Sequence, residues 1–196
     1  MRAKLSYILF LLLIPLISYS QGERNFTDTT YFIPYDDDFN LIMAASKGHM
    51  LNVSSLLERG ASINAVTIDG ISALMYAAEN GDFPMVRFLL EQGADPNLKP
   101  WNGVTALISA VKLNHFDVAE LLIANGADIN ARDNMGVSSI HYAAAYNYPE
   151  MTEMLLFFEA DPYLRDDDGN TPLVTATFNN AFEAVKVFLE KDVGID

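Results

Sequence analysis

A step of 33 residues governs this chain from its middle to its end. Gly70, Gly103, Gly136 and Gly169 stand at that spacing, and so do Ala44, Ala77, Ala110, Ala143 and Ala176. An apolar pair keeps the same step: Leu56-Leu57, Leu89-Leu90, Leu122-Ile123, Leu155-Leu156 and Phe188-Leu189. A fixed period of roughly 20 to 50 residues marks an array of stacked units, none of which can bury its apolar side alone. A length of 196 residues leaves one or two domains open. The period decides for one continuous body built of neighbouring repeats.

Each part of the unit has a physical reason. In Asp166-Asp167-Asp168-Gly169 an acidic side chain starts a turn that glycine completes. Thr171-Pro172-Leu173 then supplies a capping hydroxyl, a proline at the first helical position and a core leucine. Ser72, Thr105 and Ser138 are the equivalent caps, and the small alanines let helices of adjacent units approach. Gly48, Gly81, Asn114, Asn147 and Asn180 divide the two helices of each unit. Glycine and asparagine enter the left-handed region most readily, so this alternation reports a backbone angle. Gly60-Ala61, Gly93-Ala94 and Gly126-Ala127 close the second helices. The fourth unit has Glu159-Ala160 there, so a strained or differently shaped helix end is expected. In the first unit Asp38 is expected to cap a helix through Leu41, Ile42, Ala44 and Ala45. That unit lacks the acidic-turn-glycine opening, as expected of a capping repeat.

The opening residues follow another rule. Arg2 and Lys4 precede an apolar run, Leu5–Ile17, and Ser18-Tyr19-Ser20 places small residues where a signal peptidase reads. As a helix the run would span about 20 Å, short of a hydrocarbon core of roughly 30 Å. The expectation is a signal peptide over 1–20, cleavage before Gln21, and export to the periplasm or the medium, with no membrane association afterwards. Retention as an anchor is the alternative. Cleavage leaves 10 basic against 26 acidic residues, a net charge of −16. A leader without repeat signature, 21–36, contains Phe26, Tyr31, Phe32 and Tyr35. It is read as lying against the first repeat.

The unit resembles the ankyrin repeat. Gly103-Val104-Thr105-Ala106-Leu107 through Gly126-Ala127-Asp128-Ile129-Asn130, and Asp168-Gly169-Asn170-Thr171-Pro172-Leu173, match that family's pattern. The resemblance covers 37–196 and implies an all-α solenoid of about five helix-turn-helix repeats with short β-hairpin fingers. The repeats run approximately 37–66, 67–99, 100–132, 133–165 and 166–196. It also implies a role in binding other proteins, and it assigns His141 to hydrogen bonding with backbone within and between fingers.

Composition narrows the chemistry further. Half the residues (51%) are apolar, which excludes a disordered chain. The absence of cysteine excludes disulfides, thiolate zinc sites and thiol nucleophiles together. A net charge of −14 argues against nucleic acid, which demands a basic face. His49, His115 and His141 fall in three different repeats, and Ser72, Ser138 and Thr171 are accounted for as caps. The acidic runs Asp36–Asp38 and Asp166–Asp168 lack the alternating ligands and distal glutamate of a calcium loop. No enzyme, metal or cofactor is read here.

Binding is expected on the finger tips and the exposed side of the first helices, the family's concave face. That face would present Ile68, Ile71, Trp101, Val104, Lys112, Met135, Tyr146 and Phe178. Trp101, the one tryptophan, is read as the anchor, contiguous with Met135 and Tyr146. The alternative lays it flat on the adjacent finger. The acidic fourth finger biases the partner toward a basic edge. An exported adaptor, inhibitor or protector is the leading role. A secreted effector acting on proteins of another cell is the second reading, and a small-molecule binder or enzyme the third.

Overall fold

The computed structural model describes residues 36–193, all within the compact unit Ile33–Asp196. The expected signal segment, and the leader apart from Asp36, lie outside the described residues. Among the described residues, ten α-helices follow one another in pairs. The first helices of the repeats are α1 (Asp37–Ser46), α3 (Ala73–Glu79), α5 (Ala106–Lys112), α7 (Ser139–Ala145) and α9 (Pro172–Phe178). The second helices are α2 (Met50–Glu58), α4 (Phe83–Glu91), α6 (Phe116–Ala124), α8 (Pro149–Phe157) and α10 (Phe182–Glu190). Strands are absent among the described residues, and isolated antiparallel bridges Val66–Ser72 and Arg132–Ser138 mark two of the fingers.

The periodic residues are the packing residues. α1 packs on α3, α3 on α5, α5 on α7 and α7 on α9, while each first helix also packs on its own second helix. The small residue at each crossing is buried in all five repeats, as are Leu41, Leu74, Leu107, Ile140 and Leu173. A fully buried side chain of that size stabilises by about 1.5–3 kcal/mol. The helices are short, with seven residues in each first helix after α1, so packing rather than propensity holds them.

The helix boundaries follow the expected caps with two corrections. Thr105 and Thr171 accept from the amides of Ile108 (3.3 Å) and Val174 (3.4 Å), and Ser72 from Met75 (3.3 Å). The hydroxyl of Ser138 instead lies 2.8 Å from Nδ1 of His141, because in that repeat an imidazole stands three residues on. The first helix is capped by Asp36, not Asp38. Asp36 keeps an extended backbone and accepts from the Asp38 amide at 3.0 Å. Asp38 is already helical, and its carboxylate takes the Ser62 amide at 2.7 Å.

Gly48, Gly81, Asn114, Asn147 and Asn180 have φ between 56° and 70°, the left-handed angle expected of the inter-helix turn. At the second-helix ends Glu159 adopts φ 64°, so the fourth repeat keeps the shape its glycine counterparts have. Asparagine ties the repeats together beyond the helices. Asn64, Asn97 and Asn130 each accept, at 2.7–2.9 Å, from the amide of Asp95, Asp128 and Asp161 in the following repeat. Tyr163 breaks that series.

Candidate functional site

The finger tips are fixed by one recurring turn. The amides of Gly70, Gly103, Gly136 and Gly169 donate at 2.8–3.0 Å to the carbonyls of Thr67, Pro100, Asp133 and Asp166, three residues back. The two residues between, Ile68-Asp69, Trp101-Asn102, Asn134-Met135 and Asp167-Asp168, form the tips. Each tip is bonded to the one before it: Trp101 N to Asp69 O, Asn134 N to Asn102 O and Asp167 N to Met135 O, all at 3.0–3.1 Å. Fingers approach backbone to backbone, and a Cβ added to Gly103 would stand 2.8 Å from the Cα of Asp133. Glycine is required there by contact as much as by its angle.

A bonded ladder leaves the tip side chains in water. Ile68 is 82% exposed, Trp101 72% and Met135 61%. Trp101 is therefore not laid flat on its neighbour. Its carbonyl accepts from the Asn134 side chain at 2.5 Å, which holds the second tip to the third. Ile71 and Val104, on the return of their fingers, are half-buried, and Ile71 packs against the core.

At the other end of the first helices, Tyr146 is half-exposed. It stacks with Tyr142 (centroids 6.2 Å apart) and meets Tyr148 at 5.8 Å. Lys112 is half-buried, its Nζ 4.7 Å from the centroid of Tyr142. A seven-residue helix is about 10 Å long, so Trp101 and Met135 lie at one edge of this face and Lys112 and Tyr146 at the other. The ring contacts of Tyr146 run to the tyrosines beside it, not toward the finger tips. Phe178, 75% exposed, belongs to the fifth repeat, where it lines a groove with Leu173, Val174, Thr177, Val185 and Leu189.

The network that stiffens the third finger was not legible in the sequence. Asp133 is buried, and its Oδ1 accepts from the amides of Met135 (2.8 Å) and Val137 (3.0 Å). Its Oδ2 accepts from the Tyr142 hydroxyl at 2.7 Å. Burial first, then that carboxylate, hold the phenol protonated well above its ordinary range. One carboxylate thus links the tip at Met135 to the Tyr142–Tyr146 stack. The available signal was an acidic residue at the turn start with a tyrosine nine residues on.

His141 is fully buried and joins two repeats. Nδ1 accepts from the Ser138 amide at 3.3 Å, which leaves Nε2 to donate to the Asn170 carbonyl at 3.1 Å. Burial lowers its pKa, because the imidazolium would be cut off from water. Nε2 of His115 lies 3.0 Å from the Glu79 carbonyl of the preceding repeat. No group of three or more His, Asp or Glu among the described residues is placed to hold a metal ion.

A family model for ankyrin repeats, in three copies, matches residues 37–133 and 134–196. The chain belongs to the ankyrin repeat family. Compared with curated proteins one by one, it has no significant match. Ankyrin repeats as a family are protein-binding modules and are typically non-catalytic, which agrees with a face of fixed backbone and exposed side chains.

Proposed function

We propose that this ankyrin repeat protein is exported and holds another protein by its finger tips and first helices, without catalysis of its own. The observation that carries the reading is the row Ile68, Trp101 and Met135. These are three large apolar side chains more than 60% exposed on successive, hydrogen-bonded tips. Isolated exposed apolar residues are ordinary, but a row on rigid supports resembles the anchors of an interface. Asp167 and Asp168 on the next tip favour a partner with a basic edge. Ile71, Val104, Lys112 and Tyr146 complete the proposed contact, the first two as half-buried support.

The test is capture of the partner from cell-envelope extract by the wild-type chain and by Trp101→Ala/Met135→Ala, both checked for unchanged circular dichroism. The expected outcome is one stoichiometric protein lost with the double substitution. Undiminished capture by a folded variant would remove this face from consideration. The export reading is supported by the basic start and short apolar run of residues 1–20. It predicts a mature N-terminus at Gln21, and a chain beginning at Met1 would favour an anchor.

A further inference from the structure

The chain contains three asparagine–glycine pairs, Asn80-Gly81, Asn102-Gly103 and Asn125-Gly126. Such a pair can react with itself: the glycine amide nitrogen attacks the asparagine carboxamide carbon, and no Cβ on the glycine stands in the way. Asparagine is among the thermolabile side chains. The structure treats the three pairs differently. Asn80 and Asn125 end α3 and α6, and each donates through Nδ2 to a main-chain carbonyl at 2.8 Å, that of Ser46 and of Leu121 respectively. Around them the helix ends are closed twice. The amides of Gly81 and Gly126 donate to the carbonyls of Ala78 and Ile123, and those of Asp82 and Ala127 to Ala77 and Leu122. Asn102 instead lies on an exposed finger tip outside any helix, and its Nδ2 has no partner among the described residues. Its Oδ1 accepts from the Val104 amide at 2.9 Å, which folds the carboxamide back over the Asn102–Gly103 peptide.

We propose that Asn102 is a self-modifying site, converted in the folded chain to iso-aspartate and aspartate with water as the only co-reactant. Gly103 N gives up its proton and its bond to the Pro100 carbonyl, and forms a bond to Cγ of Asn102. The Val104 amide stays on Oδ1 as negative charge develops there. The Cγ–Nδ2 bond then breaks, and Nδ2 leaves as ammonia with the proton taken from Gly103. Water opens the resulting five-membered imide at either carbonyl.

One opening gives aspartate. Asp69 and Asp168 hold the same register position in fingers one and four, so that product suits the turn. The other opening routes the main chain through Cβ and Cγ and leaves the former Asn102 carbonyl as a free carboxylate. That carbonyl is the acceptor of the Asn134 amide at 3.1 Å, so this product uncouples the second finger from the third. Both products add a negative charge beside Trp101. The site does not rest on the partner-binding reading of the tips.

The test is to age the full chain, folded and in urea, in warm, mildly alkaline buffer made with heavy-oxygen water. Peptide mass spectrometry then locates each labelled oxygen, with fragmentation that tells iso-aspartate from aspartate. In urea the three pairs are expected to convert at similar rates. In the folded chain Asn102 is expected to keep roughly its urea rate while Asn80 and Asn125 slow by roughly tenfold or more. Conversion of Asn80 or Asn125 as fast as Asn102 in the folded chain overturns the proposal, as does an Asn102 rate that falls with theirs. The aged chain is also expected to exchange its Asn134 amide faster than the Asn102→Asp variant does. Equal exchange would overturn the uncoupling of the fingers.

Discussion

Glu159 holds φ 64° at a helix end where Gly60, Gly93 and Gly126 serve the other repeats. A residue with a Cβ pays about 1–2 kcal/mol for that angle, offset in part by the smaller entropy its unfolded chain gains. Glu159→Gly is therefore expected to raise stability by about 0.5–1 kcal/mol, read as a higher urea midpoint with unchanged slope. Its position was legible as a departure from the period, but its angle was not: an exposed glutamate could have ended the helix in another shape. His141 gives the second residue-scale expectation. Its pKa in the fold lies below the 6.5 of the unfolded chain, so below that pH the unfolded state binds more protons. The contribution of His141 is complete above pH 6.5 and declines as pH falls toward the lowered value. Asp166, which draws the pKa up, and Arg132, which draws it down, are the charges felt there. Thermal melts between pH 7.5 and 5.5 should show a steeper loss for the wild type than for His141→Gln. Parallel curves would place the acid sensitivity elsewhere.

At the scale of the element, the finger is the informative unit. Four turns of the same kind repeat, yet the third alone gathers Asp133, Tyr142 and Lys112 into one arrangement of ring, carboxylate and cation. Asp133→Ala would leave two finger amides and a half-buried phenol without their acceptor, at a cost of about 2–3 kcal/mol. Asp133→Asn should cost less, since an amide oxygen still accepts from both backbone donors. Chemical denaturation of the two variants checks the order. If the tip at Met135 belongs to the partner surface, Asp133→Ala also weakens capture at temperatures where the chain stays folded. The turns, the fingers and the caps at Ser72, Thr105 and Thr171 were written in the sequence as small and polar residues at fixed offsets. The link from Asp133 to Tyr142 was not, because it joins a turn to a helix through side chains that no other repeat shares.

For the whole molecule, stability is a sum of repeats and the junctions between them, and protection should follow how many neighbours a repeat has. Amide exchange is expected to be slowest in α3, α5 and α7, stacked between others, and at least tenfold faster in α9 and α10. Equal protection along the array would overturn this nearest-neighbour account of its stability. The acidic surface acts at the same scale. Association with a basic-edged partner should slow several-fold between 0.05 and 0.5 M salt, as screening shortens the reach of the field to roughly 4 Å.

The sequence by itself determined the repeat, its helices, its left-handed turns and the family. Those rest on local rules of spacing and backbone angle that every unit obeys alike. It also placed Ile68, Trp101 and Met135 on the tips, because a turn's middle residues follow from its glycine. Only the tertiary structure decided which side chains remain in water and which are spoken for. It buried Asp133, turned the Ser138 hydroxyl to an imidazole, moved the first cap to Asp36, and left Phe178 and Leu189 on an open face. Such outcomes depend on what the neighbouring repeat brings, and contact between repeats is a property of the stack that no single period contains.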